Sequence, residues 1–157
     1  MKKRSKKLPY EEGSWFAIPL EQGGYAVGCV ARCTGKGPAL GYFFGPKRAQ
    51  VPSIDELASL APKDAIKVMQ FGDLGLIDGS WPVIGRFPDW DRTKWPIPIF
   101  YNDDPLVDVT WKVEYDDSLQ EKEWVQIPFG SGPQKGYMHN VQSGSEAAEY
   151  HISQLLP

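Results

Sequence analysis

The sequence predicts an α+β domain: a twisted, mostly antiparallel sheet, open or partly closed into a barrel, with one short internal helix and one C-terminal helix. Three observations carry that expectation. The 157 residues fit one compact domain, long enough to bury a sizeable core without a disulfide or metal. Gly (16) and Pro (14) are frequent, which favours many short elements joined by tight turns over a long-helix bundle. Apolar residues gather in short runs, several of them alternating, and aromatics reach 13% of the chain, too many for a disordered polymer.

Residues 1–12 read as a flexible basic tail and 13–157 as the single domain. Gly13 to Leu20 (GSWFAIPL) is an apolar run suited to a strand. Glu21-Gln22-Gly23-Gly24 is a hairpin turn, because glycines tolerate positive φ. The return strand, Tyr25 to Cys33, alternates and puts Cys29 and Cys33 on one face, which reads as core. Thr34 to Pro38 is a second turn, and Ala39 to Phe44 a third strand, so the opening resembles a β-meander. Ser53 and Glu56 match a capping box. Ile54, Leu57 and Ala58 follow at helical spacing and Pro62 marks the stop, which predicts a helix of about two turns.

Ala65 to Phe71 reads as another strand, and Asp73 to Ser80 as turns. The segment from Trp81 to Phe100 is rich in Trp and Pro. Proline cannot donate to a ladder, so strands there should be short, at an edge or bulged. Val107 to Tyr115 alternates cleanly and is the clearest strand in the chain. Trp124 to Phe129 suits another strand, Gly130 to Gly136 a loop, and Ser145 to Leu156 a C-terminal helix with Ala148, Ile152, Leu155 and Leu156 on one side.

Charge is unevenly spread. Five basic residues (Lys2, Lys3, Arg4, Lys6, Lys7) and no acid fill the first seven positions; from Leu8 onward 12 basic face 20 acidic residues, a net of -8. Such a body repels nucleic-acid phosphates and favours a basic partner. The tail lacks aromatics and makes a poor nucleic-acid surface, so nucleic-acid binding is not expected. No stretch approaches the apolar length of a membrane span, and no apolar core follows the basic start as in a signal peptide. A reduced, cytoplasmic protein that does not engage membranes is expected.

The residues offer little catalytic chemistry. Cys29-x-x-x-Cys33 is a single pair, and only His139 and His151, distant in sequence, could complete a zinc set. Neither cysteine opens a helix, where a thiolate would be favoured, so both read as structural thiols. Gly35-Lys36-Gly37 and Gly130-Ser131-Gly132 lack the full phosphate-loop patterns and read as turns. The acidic residues show no EF-hand spacing and no distinctive catalytic pairing. The expectation is a binding protein without a cofactor or metal, and not an enzyme.

Several blocks, in order, are similar to the immunity protein 26 family of bacterial polymorphic-toxin systems. They are Gly13 to Leu20, Gly24 to Val30 (GYAVGCV), Gly41 to Phe44 (GYFF), Trp81 to Gly85 (WPVIG) and Trp95 to Pro98 (WPIP), within roughly residues 10–106. The resemblance implies an antitoxin that binds a cognate toxin domain and blocks it. It implies no catalytic set and no contact list. A nuclease toxin would present a basic cleft, which an acidic body could occupy as a phosphate mimic. Acidic residues beside an aromatic anchor suit a basic partner, and on that ground Trp90, Asp89, Asp91, Asp103 and Asp104 are the candidate partner-binding residues. The competing reading is a small β-rich module that binds nucleic acid or a peptide through the tail and exposed aromatics. The oligomeric state is not legible.

Overall fold

The computed structural model describes residues 7–157. Among them, ten strands form two open sheets, and neither closes into a barrel. The first three strands are the expected meander: β1 (Ser14–Pro19), β2 (Tyr25–Cys33) and β3 (Pro38–Arg48), each antiparallel to the next. β4 (Lys67–Gly72) pairs with β3, and β5 (Val83–Arg86) adds to the free side of β1. The Trp81-Pro82 step thus leads into an edge strand, where a missing N–H costs no ladder bond. The second sheet is built from β6 (Phe100–Asp104), β7 (Val109–Val113), β8 (Val125–Ile127) and β9 (Met138–His139), in the order β8-β7-β6-β9. β10 (Gln142–Ser143) returns to the first sheet and completes the order β10-β4-β3-β2-β1-β5.

The six-stranded sheet is buried on both faces. One face carries Phe16, Ile18, Val30, Phe43, Met69 and Phe71 against Leu76, Trp81, Ala148 and Ile152. The other carries Trp15, Val27, Cys29, Tyr42, Phe44 and Val68 against Phe100 and Val113 of the second sheet. Double burial explains the runs WFAIP and YFF: a strand covered on both sides has no polar face to alternate with. The rings Phe16, Phe43, Phe71 and Trp81 form one cluster, with Phe16 stacked on Trp81 at 5.6 Å and 8°.

Four expectations are corrected. The helix begun at Ser53 is a single 3₁₀ turn, Ile54–Leu57. Its capping contact forms, Ser53 N–H donating to Glu56 Oε2 at 2.7 Å, but only Leu57 is buried, so no apolar stripe rewards a second turn. A short helix appears instead at α1 (Leu74–Asp78), inside the stretch read as turns. Asp73 at its start and Gly79, at φ 85°, mark the ends of this helix. The two cysteines do not share a face. The β2–β3 register shifts between Val30 and Arg32, a bulge that leaves Cys29 in the core facing the second sheet and turns Cys33 to the opposite side. The packed chain also begins ahead of Gly13: Tyr10 is buried, and its hydroxyl donates to Asp73 Oδ2 at 2.6 Å. The basic residues Lys2, Lys3, Arg4 and Lys6 lie outside the described residues.

The C-terminal helix α2 (Ser145–Leu155) forms as expected and buries Ala148 and Ile152. No helix of the described residues is long and apolar enough to cross a membrane.

Candidate partner-binding surface

The candidate residues fall in two separate places. Asp89, Trp90 and Asp91 lie in the connection between β5 and β6; Asp103 and Asp104 end β6 in the second sheet. No hydrogen bond or ion pair among the described residues joins the two groups.

Trp90 is half-buried rather than a free anchor. Its ring stacks on Trp95 at 5.7 Å and 28°, and Nε1 donates to Glu12 Oε2 at 2.9 Å. Gly13 makes that approach possible, since a Cβ there would lie 2.8 Å from Trp90 Cγ. Asp91 is spent locally: Oδ1 accepts Thr93 N–H at 3.0 Å and the Thr93 hydroxyl at 2.6 Å. The Thr93 hydroxyl and N–H hold its carboxyl below the usual range. Asp89 is exposed.

An alternating chain of charges pins this connection to the body. Arg92 donates to Glu12 through Nε at 3.1 Å and also through Nη2. Arg92 Nη1 stands 3.2 Å from Asp117 Oδ2, and Arg32 Nε donates to Asp117 Oδ1 at 2.9 Å. Partial burial pushes the Glu12 carboxyl up, but the Arg92 and Trp90 donors outweigh it and leave it lowered. Asp117 is lowered chiefly by the Arg32 hydrogen bond. Residues 12, 32, 92 and 117 are brought together by the fold, and no local pattern announces them.

The second place is a hairpin tip. Asp103 is exposed and accepts the Thr110 hydroxyl. Asp104 Oδ1 accepts Leu106 N–H at 3.1 Å, and its carbonyl accepts Val107 N–H at 3.4 Å. Between Asp104 and Asp108 stand Leu106 and Val107, 93% and 63% exposed, the first being the most exposed large apolar side chain among the described residues. Sequence reasoning missed both, because it carried the strand back to Val107. The signal was present in Asp-Asp-Pro-Leu-Val-Asp, a turn composition. Further along the sheet, Trp124, Val125 and Phe129 are also exposed.

The second sheet and its connections carry most of the body's net negative charge, three acids (103, 104, 108) at the tip and five (114, 116, 117, 121, 123) beyond the far end of β7. Residues 100–131 hold eight acidic residues (103, 104, 108, 114, 116, 117, 121, 123) and two lysines (112, 122), a net of -6 out of the -8 from Leu8 onward. Thiol and metal chemistry find no comparable centre. Cys29 is buried and burial pushes its thiol up; Cys33 is raised for the same reason, so neither supplies a thiolate. Among the described residues no group of three metal-ligating side chains assembles.

Fold and surface together define a two-sheet α+β domain whose most distinctive chemistry is an acid-rich, partly apolar outer sheet. The chain belongs to the immunity protein 26 family: the family model, Immunity protein 26, matches residues 11–112. The match takes in β1 through most of β7 and leaves β8, β9, β10 and α2 beyond it. Comparison with curated proteins and with solved structures found no match. An immunity-protein family implies a toxin as partner and inhibition rather than catalysis as the role.

Proposed function

We propose that this chain is the immunity protein of a bacterial polymorphic-toxin system. It binds its cognate toxin domain directly and occludes the toxin's active site, in the cytoplasm and without chemistry of its own. The observation that carries this reading, beside family membership, is the charge on the second sheet. Three acids and no cation over residues 100–111, with Leu106 and Val107 bare at the hairpin tip, suit a partner with a basic cleft around an apolar floor. A nuclease active site has that character, and the acids would stand in for nucleic-acid phosphates.

The proposed contact set is Asp103 and Asp104, joined by Leu106 and Val107, with Asp89, Trp90 and Asp91 as a second patch. In that patch Asp89 is the free charge, while Trp90 and Asp91 shape the loop that presents it.

A tagged copy captured from the native strain at low and high salt tests the reading. A single basic toxin-like protein, retained at low salt and released at high salt, is the expected result. Recovery of nucleic acid instead, or of a partner whose binding ignores salt, would contradict it.

A further inference from the structure

β10 runs parallel to β4 for two residues and leads into α2, and a hollow of about 350 Å³ opens at that junction. Register sets its lining. Pro38 pairs with Gly72, Leu40 with Gln70, and Gln70 with Gln142. The side chains of Gln70 and Gln142 therefore rise on the face that Leu40 and Val68 turn toward the second sheet. Gly72 and Gly144 line the same hollow and leave it open. A Cβ at Gly72 would meet backbone, Gly144 Cα at 3.5 Å and Ser145 N at 3.9 Å.

Two sets of donors meet here without acceptors. Gln70 is 7% exposed, and its Nε2 is closed from solvent with no hydrogen-bond partner. Its neighbour Gln142 is held, Nε2 donating to the Tyr115 hydroxyl at 2.8 Å. No group among the described residues holds the Gln70 amide in the same way, so it is free to turn about its last bond. A buried amide without a partner has lost its hydration and gained nothing in return, which makes it an exception that needs a reason. The second set is the start of α2. The Ala148 N–H closes the first turn on the Gly144 carbonyl at 2.9 Å. The N–H groups of Ser145, Glu146 and Ala147 precede that bond, and Gly144 has no side chain to cap them.

We propose that this hollow binds a small uncharged molecule through an amide or lactam edge. The Gln70 amide offers an N–H and a carbonyl side by side, which a second amide answers with two hydrogen bonds. The ligand carbonyl also supplies the acceptor that the start of α2 lacks. An anion is disfavoured. No charged side chain lines the hollow, Glu146 stands in the first turn of α2, and Asp73 follows Gly72. Pro38 gives an apolar edge against which a flat ring can rest. The inference does not rest on the toxin-binding reading.

The test is a titration of the intact protein with nicotinamide, followed through the Gln70 side-chain NH2 and the Ser145 N–H resonances. Nicotinate, with the same ring and a carboxylate in place of the amide, is the control. Half-saturation on the order of 1 mM is expected for nicotinamide, and at least about tenfold weaker binding for nicotinate. Gln70→Met keeps the bulk and removes the amide. It should abolish saturation at Ser145 and melt no lower than the parent, because a buried donor without a partner is gone. Gly72→Ala sets a methyl in the hollow at ordinary contact distance and should weaken binding several-fold. Absence of saturation in the unaltered protein, or affinity unchanged in both variants, would overturn the proposal. Nicotinate bound as tightly as nicotinamide would overturn the assignment to an uncharged amide.

Discussion

Phe16 owes its place to a residue without a side chain. A Cβ at Gly28, its cross-strand partner, would lie 2.5 Å from Phe16 Cζ, and Phe16 is fully buried among rings that cannot yield. Gly28→Ala should cost about 1–3 kcal/mol by overpacking, seen as a lower urea midpoint with an unchanged slope. Trp90 is a second residue whose packing sets expectations. Trp90→Ala removes the stack on Trp95 and the bond to Glu12, so a stability loss on the order of 1–2 kcal/mol should accompany any effect on binding. Unchanged stability in that variant would mean that the ring does not hold its loop. The Glu12–Arg92–Asp117–Arg32 chain makes a pH prediction. Both carboxyls are depressed in the folded state. Their stabilisation is therefore complete above the unfolded values of about 4 and is lost as pH falls through the folded ones. Asp117→Asn should melt lower than the parent at neutral pH, and the gap should close on acidification. A gap that persists at low pH would show that the carboxylate charge is not what matters.

The elements differ in how far local pattern defines them. The meander was legible because turn glycines and apolar runs coincide, and β7 because Val109, Trp111 and Val113 alternate with Thr110 and Lys112. The bulge in β2 was not: alternation from Tyr25 to Cys33 looks unbroken in sequence, and only the pairing with β3 shows that Ala31 is an extra residue. That single slip separates the cysteines and buries Arg32. The five-residue α1 was also missed, since one turn with two bracketing cap residues looks the same as a loop. Of the candidate contacts, Asp103 and Asp104 were legible as acids near a turn, but the exposure of Leu106 and Val107 was not, because large apolar side chains weigh as core even inside a turn composition. Helix α2 carries its own prediction. Its N-cap, Gly144, has extended backbone (φ -64°, ψ 168°), no capping side chain, and open space where a Cβ would go. Gly144→Ser should stabilise the protein by about 0.5–1 kcal/mol, through a cap bond and a stiffer unfolded chain, with a higher melting temperature as the readout.

At the scale of the whole molecule, the two sheets divide the labour. The six-stranded sheet is buried on both faces and carries the stability. The four-stranded sheet contributes Phe100 and Val113 to the core and turns its hairpin tip and most of the body's acidity outward. A partner can thus be selected by changing residues that the fold does not need. The separation is tested most directly on the tip, using the toxin recovered by capture. Affinity and melting temperature are measured together for Leu106→Ala and for the double change Asp103→Asn, Asp104→Asn. The proposed interface predicts affinity lowered at least about tenfold in each, weaker salt dependence in the double variant, and melting temperatures close to the parent's. Full affinity in both variants, with the fold intact, would contradict the claim that the second sheet is the toxin-binding face.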